Sequence, residues 1–136
     1  MKELHLIVDW NNFFCEGEMI GYIKQFDMDL CEILYISKLK NKVETLSKFY
    51  KYPVDDDRGE IDFTAYLIKC SKDYEYRKTA KGNRLVSANM FDIKMFLRKF
   101  DGAVVHTTDN IHETKHALSV LGLYEKYVCH YLKIID

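Results

Sequence analysis

Proline is almost missing from this chain: Pro53 stands alone among 136 residues. With 48% apolar and 14% aromatic residues, that scarcity excludes a collagen-like chain and a disordered one, and predicts a packed globular core. An excess of one charge is missing too. Twenty basic residues face 21 acidic ones, for a net charge of −1, so the chain is not built to coat nucleic acid by bulk attraction, and any such contact must be a local patch. No C-x-x-C pair occurs. Cys15, Cys31, Cys70 and Cys129 lie far apart, which fits reduced thiols in the cytoplasm better than a disulfide framework or a zinc ribbon. No apolar run approaches the roughly 20 residues of a membrane span, and the run in MKELHLIVDW is too short for a signal peptide.

The length suits one domain spanning 1–136, since single cores are built from roughly 100–150 residues. LHLIVDW (4–10) is short, apolar and hardly alternated, the pattern of a strand buried on both faces, as in a parallel sheet. From about Phe13 to Tyr50 the spacing of Leu30, Ile33, Leu34, Leu39 and Val43 predicts one or two amphipathic helices. YPVDDDRGE (52–60) reads as a turn or exposed loop, in which Asp55, Asp56 and Asp57 are solvated. DFTAYLIKC (62–70) is a second strand, and the basic, tyrosine-bearing stretch 71–84 a loop or hairpin. A helix over 89–100, a strand over 102–108, a helix over 110–122 stopped by Gly122 and a strand over 126–135 complete the chain. Such alternation predicts an α/β fold, a three-layer sandwich with a mainly parallel sheet of about four to five strands.

Parallel sheets bind ligands at the carboxyl ends of their strands. Asp9 and Asp109 both fall at such ends, with Asn12 just behind Asp9, and on neighbouring strands their carboxylates would converge and call for Mg²⁺ or Mn²⁺. The plainer alternative is that each aspartate caps the helix after it. Trp10, Phe13 and Phe14 border a buried strand and read as packing, and His5 and His130 as core or edge residues of the first and last strands.

Three segments together resemble the NYN branch of the PIN-like nucleases. LIVDWNNFF resembles that family's opening, a buried strand ending in D-x-x-N, with Asp9 and Asn12 at the matching positions. SANMFDIKMFL resembles the middle segment and places Asp92 at its acidic position. GAVVHTTDN resembles the S-G-D-x-D segment, with Thr107, Thr108 and Asp109 at the serine, glycine and first aspartate. Ile111 departs from the pattern where a second aspartate belongs, and Ser87 or Ala88 stands where a lysine is usual. The resemblance implies a Rossmann-like PIN fold and metal-dependent hydrolysis of single-stranded RNA, or a degenerate relative that binds RNA without cutting it. In that scheme Asp9, Asp109, Asp92 and Glu113 hold Mg²⁺ or Mn²⁺, Asn12 orients Asp9 or a water, and the metal activates the water. Arg77, Lys78, Lys81 and Arg84 would contact the substrate, with Tyr74 and Tyr76 stacking on bases; the plain alternative is a solvated loop. A homodimer stays open.

Two rival readings use the same letters. Haloacid-dehalogenase-like phosphatases also begin with a strand ending in Asp, which would make Asp9 a nucleophile and Thr107 or Thr108 a phosphate ligand. Asn11 at the general-acid position and the lack of a final acidic motif count against that reading. His112, Glu113 and His116 spell H-E-x-x-H, the zinc metalloprotease motif. Ile111, Thr114, Leu118 and Leu121 predict the buried stripe of that helix, however, leaving both histidines on the polar side with Lys115 and Ser119. A third likeness, of VDWNNFFCEGE to a palm motif of Y-family DNA polymerases, is discarded because those enzymes need a far longer chain.

Overall fold

In β1 (Lys2–Asp9), Leu4, Leu6 and Val8 point to one side and His5, Ile7 and Asp9 to the other, and all six are buried. Both faces are covered. The structure, a computed structural model, describes residues 2–36 and 62–125. On one face Ile7 packs with Met19 and Ile23 of α1 (Glu16–Gln25) and with Met90, Ile93 and Leu97 of α2 (Ala88–Leu97). On the other, Leu4, Leu6 and Val8 meet Ala117 and Leu118 of α3 (Ile111–Val120).

The sheet is antiparallel, which corrects the mainly parallel, Rossmann-like sandwich expected from the pattern. Its order is β2 (Asp29–Ile36), β3 (Phe63–Ser71), β1, β6 (Val105–Thr107), and each neighbouring pair runs antiparallel. Burial on both faces produced the misreading, because helices on each side remove apolar alternation whatever the strand direction. β1 and β2 run parallel but are separated by β3, and β3 and β6 are separated by β1. This is the split β-α-β-β-α-β order of ferredoxin-like folds. A hairpin of β4 (Tyr74–Thr79) and β5 (Gly82–Ser87) is inserted before α2, where the sequence predicts a loop or hairpin.

The predicted helix over 13–50 is also corrected within the described residues, since α1 ends at Gln25 and β2 begins at Asp29. Asp27 adopts φ 56°, and the Asp27 and Met28 N–H groups donate to the carbonyls of Lys24 and Ile23, the Schellman stop that glycine usually supplies. Gly122 ends α3 in the same way, with φ 74° and bonds from Gly122 and Leu123 back to Ser119 and Leu118. The strand expected over 126–135, the loop over 52–60, His130 and Asp55–Asp57 lie outside the described residues. Among those described, no helix is long and apolar enough to cross a membrane.

Candidate functional site

Antiparallel pairing separates the two aspartates that were expected to converge. Asp9 faces Val105 across the β1–β6 ladder, whereas Asp109 lies four residues further along, just past Thr108, whose N–H bonds the Leu6 carbonyl. At strand rise that is roughly 13 Å. The Asp9 carboxylate is fully buried and accepts the N–H groups of Phe13 (3.1 Å) and Phe14 (3.0 Å). Burial pushes its pKa up, against the lowering effect of those bonds. Asn12, at φ 48°, accepts from the Thr64 hydroxyl (2.6 Å) and donates to the Asp62 carbonyl (3.3 Å), so its side chain serves β3 rather than Asp9. Asn11 donates to Gly102 O (2.7 Å) and accepts from Val104 N–H (3.3 Å). The polar residues of IVDWNNFF clasp three chain segments together. A buried Asp9 engaged by two amides is placed for neither nucleophilic attack nor metal ligation.

The remaining expected residues divide. Asp92 is exposed and paired with Arg77 (3.0 Å), which also holds Glu75. Thr108 is buried in a polar network: its hydroxyl accepts from Leu6 N–H (3.0 Å) and contacts Thr114 Oγ1 (2.9 Å) and His5 Nδ1 (3.3 Å). On the far side of His5, Nε2 lies 3.1 Å from Glu3, which also accepts from Tyr74. Tyr74 is thereby committed to the core. Burial alone would lower the His5 pKa, but hydrogen bonds with Cys70 and Glu3 outweigh it and carry it up to about 9. A doubly protonated His5 donates to both Glu3 and Thr108, leaving the Thr108 proton for Thr114 and the Thr114 proton for the Leu4 carbonyl.

Thr107, Asp109, Glu113, Lys78, Lys81 and Arg84 do come together, around one cavity of about 530 Å³. Its floor is the outer edge of β6, and its walls are the β4–β5 tip, α2 and α3. Lys94 and Arg98 add two cations that the sequence reading overlooked; four residues apart on α2, they share a helix face. Phe91 and Met95 give an apolar side, and Lys94 lies over the Phe91 ring at 5.0 Å. Trp10 N–H bonds Val104 O and Thr108 N–H bonds Leu6 O, so the peptide groups of Val105 and Thr107 turn outward. Arg98 takes the Val105 carbonyl with two bonds of 3.1 and 3.0 Å.

Five cations outnumber two carboxylates here, and the carboxylates are already engaged. Asp109 lies 3.4 Å from Lys94 and Glu113 lies 3.8 Å from Arg84, while Glu113 also accepts the Asp109 N–H at 3.1 Å. Burial and the nearby charges of Arg98, Lys94 and Lys81 push the His106 pKa down to about 3. The Thr107 hydroxyl is not engaged in this way. Thr107 belongs to the cavity's lining but is 2% exposed, its Oγ1 is closed off from solvent, and among the described residues that oxygen has no hydrogen-bond partner. A buried hydroxyl without a partner costs about 1–3 kcal/mol.

The expected Mg²⁺ or Mn²⁺ ligand set does not fit this arrangement, because Asp9 is remote and buried, Asp92 is paired outside the cavity, and Asp109 and Glu113 each neutralise a cation. In the H-E-x-x-H string, Thr114 and Leu118 are buried as expected, His112 is exposed and His116 lines the cavity. Among the described residues, no three His, Cys, Asp or Glu side chains are grouped to hold a metal ion. No family model matches the chain, and neither does any curated protein sequence.

Proposed function

We propose that this protein binds single-stranded RNA at the basic cavity beside β6. The observation that carries the reading is a cavity ringed by Lys78, Lys81, Arg84, Lys94 and Arg98. Cations and hydroxyls are the donors that hold phosphate oxygens. A volume of about 530 Å³ is the size of a small-ligand pocket, suited to a nucleotide unit and far too narrow for a duplex. Phe91 and Met95 offer an apolar wall to a base, and Asp109 and Glu113 offer acceptors to a ribose 2′-hydroxyl. Tyr76 is exposed on the outer face of the hairpin, on the same side of β4 as Lys78, where a strand leaving the cavity can stack. The reading is that of a binding module in the cytoplasm, the setting that the cysteine spacing favours. No cleavage step is assigned, since Asp9 and Asp92 lie away from Asp109 and Glu113.

Fluorescence anisotropy with a labelled single-stranded RNA tests the proposal, with incubation in Mn²⁺ as a parallel arm. Binding that weakens in Arg84→Ala, persists in Asp9→Asn and leaves the RNA intact is the expected outcome. Equal binding by wild type and Arg84→Ala would remove the cavity from the reading. Cleavage abolished by Asp9→Asn would restore the nuclease.

A further inference from the structure

The two carboxylates of the cavity are not equally committed. Asp109 is 8% exposed and lies 3.4 Å from the Lys94 ammonium, within hydrogen-bond reach. Glu113, in the first turn of α3, has a side chain 26% exposed. Its Oε1 accepts the Asp109 N–H at 3.1 Å, which fixes the carboxylate, while Oε2 lies 3.8 Å from Arg84 Nη2, too far for a hydrogen bond. Tying the start of α3 to Asp109 is a structural role, but it uses only one of about four acceptor positions that a carboxylate offers. Arg84 is itself loosely held, because its cross-strand partner in the hairpin is Arg77, and like charges facing each other are destabilising. A phosphate that draws on Arg84 therefore leaves Glu113 with acceptors to fill. RNA bases differ in what they can supply. Guanine presents two adjacent donors, N1–H and N2–H₂, spaced like the two oxygens of a carboxylate; adenine and cytosine set one amino group beside an acceptor, and uracil sets one N–H between two carbonyls. We infer that Glu113 determines the specificity of the cavity and selects an unpaired guanine, its carboxylate accepting from N1–H and N2–H₂ while the adjoining phosphate pairs with Arg84. The inference rests on the RNA reading and narrows it from any strand to one that presents guanine.

A short oligouridine carrying guanine, adenine, cytosine, uracil or hypoxanthine at one central position tests this by fluorescence anisotropy. Hypoxanthine is guanine without its N2 amino group, so that strand isolates the second donor. Wild type is expected to bind the guanine strand about tenfold tighter than the uracil strand, the size of a bidentate base contact, with hypoxanthine in between. Glu113→Gln keeps an oxygen for the Asp109 N–H but presents a donor beside it, so guanine falls to the level of adenine. Asp92→Asn, outside the cavity, keeps the guanine preference. Equal affinity of wild type for all the strands would overturn the inference and leave RNA binding intact. A hypoxanthine strand bound as tightly as guanine would overturn it too, as would a guanine preference unchanged in a folded Glu113→Gln protein, the result expected of a purely structural Glu113. Binding of none of the strands refutes RNA binding itself, and guanine selection falls with it.

Discussion

Replacing Thr107 by valine should make the protein more stable. The two residues have nearly the same shape, so the methyl group occupies the hydroxyl's place without opening a cavity in the face shared with Ile7, Thr107's partner in the β1–β6 register. What changes is the desolvation of an oxygen that has no partner among the described residues and belongs to a side chain at 2% exposure. An unsatisfied buried polar group costs about 1–3 kcal/mol, and the lower half of that range, about 1–2 kcal/mol, allows for small shifts of neighbouring side chains. In a domain of this size each kcal/mol moves Tm by roughly 3–5 °C, so the variant should melt about 3–10 °C above wild type. Thermal melts by circular dichroism read the prediction. A variant that melts several degrees below wild type would refute the reasoning, because it would show that the hydroxyl is satisfied in the free protein.

Asp9→Asn should act on stability alone. An amide can accept from one of the Phe13 and Phe14 N–H groups but turns its own donor toward the other, a loss of about 1–3 kcal/mol visible in urea unfolding, while RNA affinity stays at the wild-type value; unchanged stability would contradict the clasp. Lys81→Ala combined with Arg84→Ala should flatten the salt dependence of RNA binding, since each phosphate contact contributes about 0.7 to the slope of log K against log salt for single strands, and an unchanged slope places the phosphates elsewhere. The His5 network gives a pH prediction. With a folded pKa raised to about 9, His5 contributes stability that is whole below its unfolded value near 6.5 and is lost as pH rises through 9, on the order of 3 kcal/mol. His106, lowered to about 3, works in the opposite sense and costs stability as pH falls below about 6.5. Denaturant unfolding across pH 5–10 should therefore peak near neutrality, with the alkaline fall reduced in Glu3→Gln; an unaltered alkaline limb in that variant would sink the assignment.

The features legible in the sequence were those set by neighbouring residues. Gly122 marks the end of α3 because a left-handed residue is needed there and glycine adopts it without strain; β1 and β3 read as strands, α2 and α3 as helices, and the stretch 71–84 as a loop or hairpin. Where the same Schellman stop is made by Asp27, the signal is hidden, and β2 was absorbed into a helix whose apolar spacing it mimics. Lys94 and Arg98 carried a visible signal in their four-residue spacing, but nothing local indicated which cavity that helix face would line.

By itself, then, the sequence determined the composition of a packed core, most element types, and the presence of Thr107, Asp109, Glu113 and the basic hairpin as residues with chemistry to offer. Tertiary structure decided which of them meet. Strand direction is set by pairing between residues about 100 positions apart, as in the β1–β6 ladder, and no local period records it. A parallel β6 would have brought Asp109 toward Asp9. The antiparallel one leaves Asp9 as a buried clasp where β1 ends and carries Asp109 four residues away, into a cavity shared with Glu113 and five cations.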